Sequence, residues 1–438
     1  MENKSNIEYI RAEENAQPEK IWKFSVLDRA CLPMVIRGTW VFGGELDIDV
    51  LKSGFKKLLK YYPYLSGRML TSNEISFTND GVPFLITENL GLSIEDIKRE
   101  DKFINDFSIK INPAKIKKGL EAPLSIKITK LKDGYVLGMQ CSHALMDGDS
   151  FYTMVYNWGQ ICRAKDFEKP VLDQSLFSIP ENISKDKLMQ EAIDNGWKKL
   201  SISALIKLLP MVVSGSLKGR SDPFCISAEG IDKLKKEIAG DDKFSCSSNV
   251  ALCALISKMS AKLYGHDNET ECSQVTVIDV RDRVAGIPPN FTGNASTTIS
   301  TPYFSAGLSV KEIAKIIKRT LEPFVENPSK ELERILSLNI NVMHSKLPLA
   351  PFDVMAMNSK KPRVFYINNF SKLHIYDVDF GFGKAILVIP HNLSDQVIIW
   401  PASPEKGGVE IYFSGIPNHI IKKLGKDDPW LREMGEYK

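Results

Sequence analysis

Apolar and polar positions recur along this chain with two periods, and the switches between them mark out its elements. Met34 to Phe42 is β-rich and runs into Gly43-Gly44, which predicts a strand closed by a turn. Beyond Asp47, the residues Leu51, Phe55, Leu58, Leu59 and Tyr62 recur at helical spacing, with Asp47 as cap and Pro63 as stop. Leu124 to Leu131 alternates with period two, Lys132-Asp133-Gly134 signals a turn, and Tyr135 to Ser142 continues as a more apolar strand, which predicts a hairpin. Phe151, Met154, Val155, Trp158, Ile161 and Cys162 then share one helical face, with Asp149 or Ser150 placed to cap it.

From Lys165 to about Arg220 the periodicity weakens around Pro170, Pro180 and Pro210, as expected of a crossover. The pattern restarts with a helix after Ser247-Ser248, a strand from Val275 to Arg283 and a helix opened by the capping box Ser309-x-x-Glu312. Strands at Ala385 to Ile389, Gln396 to Trp400 and Val409 to Phe413 precede a short final helix. The expected architecture is therefore α/β (α+β): an N-terminal lobe over 1–165, a crossover over 166–220 and a C-terminal lobe over 221–438. Each lobe is a mixed sheet with flanking helices, and the late strands are free to exchange between lobes.

Composition narrows the classes. At 438 residues, 43% hydrophobic and 25% charged, the chain is an ordinary folded protein of two or so domains. Lys plus Arg number 57 against 54 Asp plus Glu, a net +3 that gives no footprint for nucleic acid or an anionic membrane. The seven cysteines are scattered with no C-x-x-C pair, so they read as free thiols and supply no zinc site. The most apolar run, Ile202 to Val213, is broken by Lys207 and Pro210 and falls short of the ~20 residues that span a bilayer. With no signal-peptide pattern at the start, a cytoplasmic monomer without a bound metal or permanent cofactor is expected.

The chemistry concentrates in Ser142-His143-Ala144-Leu145-Met146-Asp147-Gly148, directly after the apolar strand. A chance H-x-x-x-D-G in such a chain has a probability of roughly 2%. A strand end delivers His143 to a fixed point, and a neutral imidazole is the natural base for a hydroxyl or amine proton. A core histidine satisfied by a carbonyl is the bland alternative. No G-x-S-x-G, Walker A or H-E-x-x-H accompanies it, so a lone base favours direct attack by an acceptor on an activated donor such as a thioester. A second motif, Asp379-Phe380-Gly381-Phe382-Gly383-Lys384, reads as a tight glycine turn with its phenylalanines packed beneath.

The two motifs in this order resemble those of the BAHD acyltransferases, acyl-CoA-dependent enzymes marked by H-x-x-x-D-G and a late D-F-G-W-G-K. Tyr62-Pro63-Tyr64-Leu65-Ser66-Gly67-Arg68, Asp279-Val280-Arg281-Asp282-Arg283 and Phe291-Thr292-Gly293-Asn294-Ala295 resemble further landmarks of that family. The resemblance implies two chloramphenicol-acetyltransferase-like lobes, with His143 as general base in a ternary complex of acyl-CoA and a small alcohol or amine. It implies that Asp147 is a brace paired with Arg281, Arg283 staying open, and that Gly148, Asp379, Gly381 and Gly383 are structural. The family's T-S-W-like oxyanion stretch aligns with Asn368-Asn369-Phe370, which makes Asn368 the candidate donor. Phe382 and Ala385 stand where the family carries Trp and Pro, marking a divergent member. Acyl-CoA is expected as co-substrate, with Ser247 and Ser248 at a helix N-terminus and Lys258 as candidate phosphate contacts. The alternatives are a condensation-type domain fed by carrier-protein thioesters and a non-catalytic ligand-binding protein on the same fold.

Overall fold

The hairpin expected at 124–142 forms the centre of a six-stranded sheet. The structure, a computed structural model, describes residues 7–13, 17–99, 107–177, 183–200, 222–241, 244–326, 328–357, 359–390, 396–414 and 416–437. Part of the expected crossover, including the apolar run 202–213, lies outside them. The chain divides into two compact units, one of Met1–Ser178, Pro288–Ala295 and Leu373–His391, the other of Ile179–Ile287, Ser296–Lys372 and Asn392–Lys438.

In the first unit the sheet runs Ile7–Ile10, Val82–Glu88, Leu124–Lys130, Gly134–Ser142, Val35–Gly43, Leu387–Ile389. The two hairpin strands pair antiparallel, and the second pairs again with Val35–Gly43, so Ser142 lies opposite Val35. Helices Ile48–Leu58 and Gly148–Cys162 cover one face. The apolar stripe read from the sequence is what they bury: Trp158 stacks edge-on against Phe55 at 5.0 Å, and its indole N–H donates to Leu51 O at 3.1 Å. Trp40, fully buried on the sheet, packs against Phe151 and Tyr152 of the second helix. Aromatic residues of this size dominate the energy of such a core, each burying ~150–250 Å².

Two expectations change here. Segment 373–391, which carries the late glycine motif, belongs to the first unit and not to the C-terminal lobe. The reason is pairing and packing: Leu387–Ile389 is the edge strand beside Val35–Gly43, and buried Phe380 packs on Trp158 at 4.7 Å. The helix after the histidine loop is capped by Asp147, ahead of Asp149 and Ser150. Asp147 has the extended backbone of a cap, and its carboxylate accepts the Ser150 N–H at 3.0 Å.

The second unit holds an eight-stranded sheet whose main path is Ser296–Ser300, Glu271–Asp279, Val364–Asn369, Gln396–Pro401, Val409–Phe413, Phe224–Ile226, Glu436–Tyr437. Helix Ser248–Leu263 is apolar almost all round and accordingly buried almost all round, under the sheet and helix Val310–Leu321. Ser247 caps the first helix and the Ser309/Glu312 capping box opens the second, both as the sequence predicts. The strand expected from Val275 to Arg283 ends at Asp279. A turn follows, in which Arg283 N and Val284 N both donate to Val280 O and Asp282 adopts a left-handed backbone at φ 55°. Asp279, Arg281 and Arg283 therefore do not share a strand face.

Candidate active site

His143 leaves the sheet where its strand ends. Its backbone N–H donates to Met34 O at 3.0 Å, and Leu145 N closes the turn on Ser142 O, so the neighbouring strand fixes the start of the loop. The half-buried imidazole meets a segment far away in sequence. His143 Nδ1 lies 3.0 Å from Asn294 Oδ1. The amide of Asn294 is held at its other end, where Nδ2 donates to His143 O at 2.8 Å and to Asp28 Oδ1 at 2.9 Å. A carbonyl and a carboxylate accept only, so the amide is oriented, and its oxygen receives a hydrogen from Nδ1. The Nε2 nitrogen then carries the lone pair of the neutral ring.

Asp147 joins the loop to the same segment. Its Oδ1 caps the following helix, Oδ2 accepts Ala295 N at 3.0 Å, and its own N–H donates to Gly293 O at 3.1 Å. Ser150 Oγ also donates to Gly293 O at 3.1 Å. Gly293 takes φ 137°, a backbone that disfavours other residues, and so presents its carbonyl to two donors at once. Asp147 is buried, and its carboxylate ties the loop to the following helix and to residue 295. Gly148 is the first residue of the helix. Tyr64, from the 62–68 landmark, reaches Thr292 with its hydroxyl at 3.1 Å in the buried interior. Three stretches singled out in the sequence thus converge around residues 292–295.

The remaining predicted residues sit elsewhere. Arg281 is 5% exposed, with its guanidinium 3.0 Å from Asp279 Oδ1, whereas Arg283 is exposed; of the two, Arg281 has the burial of a brace. Asp379 organises its own turn, accepting Gly381 N at 2.8 Å and Gly383 N at 3.2 Å and pairing with Arg163 at 3.1 Å. Both glycines take φ 101°, and the motif's Phe380 is buried while Phe382 is half-buried. Ser247 accepts Val250 N as a plain cap, and Ser248 is exposed. Lys258 does not join them. It lies eleven residues on, about 16 Å along the helix axis, and its ammonium donates to Ala306 O and Leu308 O, both at 2.8 Å. Asn369 is engaged on both sides, Nδ2 to Asn249 Oδ1 at 2.7 Å and Oδ1 from Ser371 N at 2.9 Å. Asn368, its neighbour on the strand, presents its side chain to the opposite face, and that amide has no hydrogen-bond partner among the described residues.

The family described as the Transferase family matches residues 4–424. The chain is a BAHD acyltransferase. It is similar to omega-hydroxypalmitate O-feruloyl transferase of Arabidopsis thaliana, 23% identical over 389 residues covering 84% of this chain and 79% of that protein. It is similar also to hydroxycinnamoyltransferase of Narcissus pseudonarcissus, 24% identical and covering 86% of each. The crystal structure of vinorine synthase matches with a TM-score of 0.68 at 16% identity, covering 100% of this chain and 99% of that one. F. graminearum TRI101 complexed with coenzyme A and T-2 mycotoxin matches at 0.73 and 14% identity, covering 95% and 99%. These likenesses show the fold, the chloramphenicol-acetyltransferase-like fold of the family.

In this BAHD acyltransferase the electrostatics of the imidazole follow from its surroundings. Burial pushes the His143 pKa below the ordinary 6.5, more strongly than its own backbone carbonyl, Asp147 and Asn294 pull it up. Burial therefore favours the neutral ring. Sequence reasoning marked Asn294 only as part of a landmark and passed over Asp28, although Ser25-x-x-Asp28 has the acceptor spacing of a capping box, with Asp in place of Glu. No helix among the described residues of the acyltransferase is long and apolar enough to cross a membrane.

Proposed function

We propose that the enzyme moves an acyl group from a CoA thioester to a hydroxyl or amine of a small molecule in a ternary complex, with His143 Nε2 as general base. The observation that carries this reading is the bond of His143 Nδ1 to the oriented Asn294 oxygen, which leaves Nε2 as the basic nitrogen. In the reaction Nε2 takes the acceptor's proton as the oxygen or nitrogen attacks the thioester carbonyl. The tetrahedral intermediate collapses with cleavage of the C–S bond, and the imidazolium returns the proton to the leaving thiolate. Base help of this kind contributes about 10²–10⁴ in rate. Positioning and oxyanion stabilisation supply the remainder.

Asn368 is our candidate for an oxyanion donor, because its amide is uncommitted among the described residues while that of Asn369 is fully engaged. Asp147 and Arg281 are assigned to bracing, and the Asp379 turn to packing. The N–H groups behind Ser247 and Ser248 remain the candidates for a CoA phosphate, without Lys258. Relatives named for O-acylation make a hydroxyl the first acceptor to try. The test is transfer by the His143→Ala variant: it should lose at least about 10² in turnover while keeping the wild-type thermal shift with acyl-CoA. Near wild-type turnover with any acceptor would remove the base assignment.

A further inference from the structure

Asp28 is a carboxylate with no surface exposure, in a helix of only five residues, Val26–Ala30. Its Oδ2 accepts Ser25 N at 2.8 Å, and Ser25 Oγ accepts Asp28 N at 3.1 Å, which completes a capping box. A surface carboxylate would cap so short a helix as well, and burying one is costly unless it is hydrogen-bonded. The other oxygen has a different task. Oδ1 accepts Asn294 Nδ2 at 2.9 Å and Asn294 N at 3.2 Å, from a segment 266 residues away.

We propose that Asp28 is a positioning residue that fixes the tautomer of His143 through the side chain of Asn294. An asparagine amide has two ends of nearly equal shape, and its orientation is decided by what faces it. Burial pushes the Asp28 pKa up against the pull of its hydrogen bonds from Asn294 and Ser25. Both oxygens accept backbone N–H groups, Oδ2 from Ser25 and Oδ1 from Asn294, so Asp28 turns the Asn294 NH₂ inward. The amide oxygen must then face His143 Nδ1, and that nitrogen must carry the hydrogen. If residue 28 is able to donate, only His143 O still holds the NH₂ inward, and the turned-over amide becomes populated. Its NH₂ then meets Nδ1, the ring hydrogen moves to Nε2, and the nitrogen that takes the acceptor's proton has no lone pair. Asp28 thus acts at one remove, through Asn294. This inference rests on the reading of His143 as base.

The test reads the tautomer directly. The full-length protein, labelled with ¹⁵N-histidine, is examined by NMR at a pH where His143 is neutral, the resonance being assigned by its loss in His143→Gln. The wild type should show Nδ1–H with an unprotonated Nε2. Asp28→Asn should move the ring toward Nε2–H and lower kcat by about 10²-fold with KM for acyl-CoA within about twofold. That is less than the about 10⁴-fold loss when a carboxylate bonded directly to a catalytic imidazole becomes an amide, because one Asn294 N–H keeps its bond to His143 O. Ser25→Ala breaks the other half of the capping box and should lower the melting temperature while leaving tautomer and kcat alone. Should Asp28→Asn fail to accumulate as folded protein, Asp28→Ser, which is smaller and also able to donate, gives the same readout.

A wild-type ring in the Nε2–H form overturns the proposal outright. So does an unchanged tautomer in the Asp28 variants, or a kcat loss that Ser25→Ala reproduces in proportion to lost stability. The failure of the base reading looks different: His143→Ala would stay active whatever the tautomer.

Discussion

His143 is the residue most plainly written in the sequence, because a strand end, a turn and H-x-x-x-D-G coincide within a few positions. Its partner is not, since Asn294 lies 151 residues away and nothing local signals that its amide is aimed at an imidazole. The environment gives the proposed base a testable pH signature. Burial disfavours the imidazolium, so the folded pKa lies below the ordinary 6.5. The acid limb of kcat/KM, which reports the free enzyme, should therefore fall below pH 6.5, with activity flat from there to about pH 8. Linkage has the same sign: this group's contribution to stability is present above pH 6.5 and is lost as pH falls toward the folded pKa. A limb at or above pH 7 would mean that burial does not dominate. The adjacent asparagines separate by what each holds. Asn368→Leu should lower kcat by about 10²–10³ with little change in acyl-CoA affinity. Asn369→Leu, which removes the bond to Asn249, should chiefly lower the melting temperature. Kinetics and thermal melts on the pair check both, and the reverse pattern would place the donor one residue on.

At the level of elements, strands and helices with strong periodicity were readable, and the ends that create function were not. The alternation of 124–142 predicts the hairpin, but Asp147 in place of Asp149 or Ser150 as helix cap depends on where the loop is pulled by residues 293–295. Asp147→Ala should lose the cap, about 1 kcal/mol, and orphan the Ala295 N–H, about 1–3 kcal/mol. Denaturant melts should show the loss, and turnover should fall with it. A melting curve like that of the wild type would show that the loop does not depend on this carboxylate. The strand that stopped at Asp279 misled for a related reason: Val280 and Val284 flank the turn as if the strand ran on, and only the left-handed Asp282 shows the turn. The glycine turn at 379–384 forms with Phe380 packed beneath it as read, whereas Phe382 is only half-buried. A methyl group at Gly383 meets nothing within 4 Å and at Gly381 only Arg163 Cγ at 3.7 Å, so the backbone at φ 101° is the whole obstacle. Gly381→Ala and Gly383→Ala should each destabilise by about 1 kcal/mol or more, with kcat per folded molecule unchanged. Loss of kcat at full stability would bring the turn into the chemistry.

For the molecule as a whole, the two mixed α/β units and the family were legible, while the division of the chain between the units was not. The exchange of 288–295 and 373–391 into the first unit rests on pairings hundreds of residues apart, which periodicity does not report. The exchange has a functional meaning, because it brings Asn294 and Ala295 into the unit that carries His143 and Asp147. Substrate identity is a property of side chains that line a site and does not follow from a fold. Thermal shifts with acyl-CoAs of increasing chain length should rank the donors, since a ligand that binds only the folded state raises its stability with concentration. With the best donor in hand, the most direct test is the release of CoA thiol in the presence of a panel of alcohols and amines, by wild type and by His143→Ala. The account predicts acceptor-dependent release by the wild type and a loss of about 10² or more in the variant. Equal release by both proteins would contradict it.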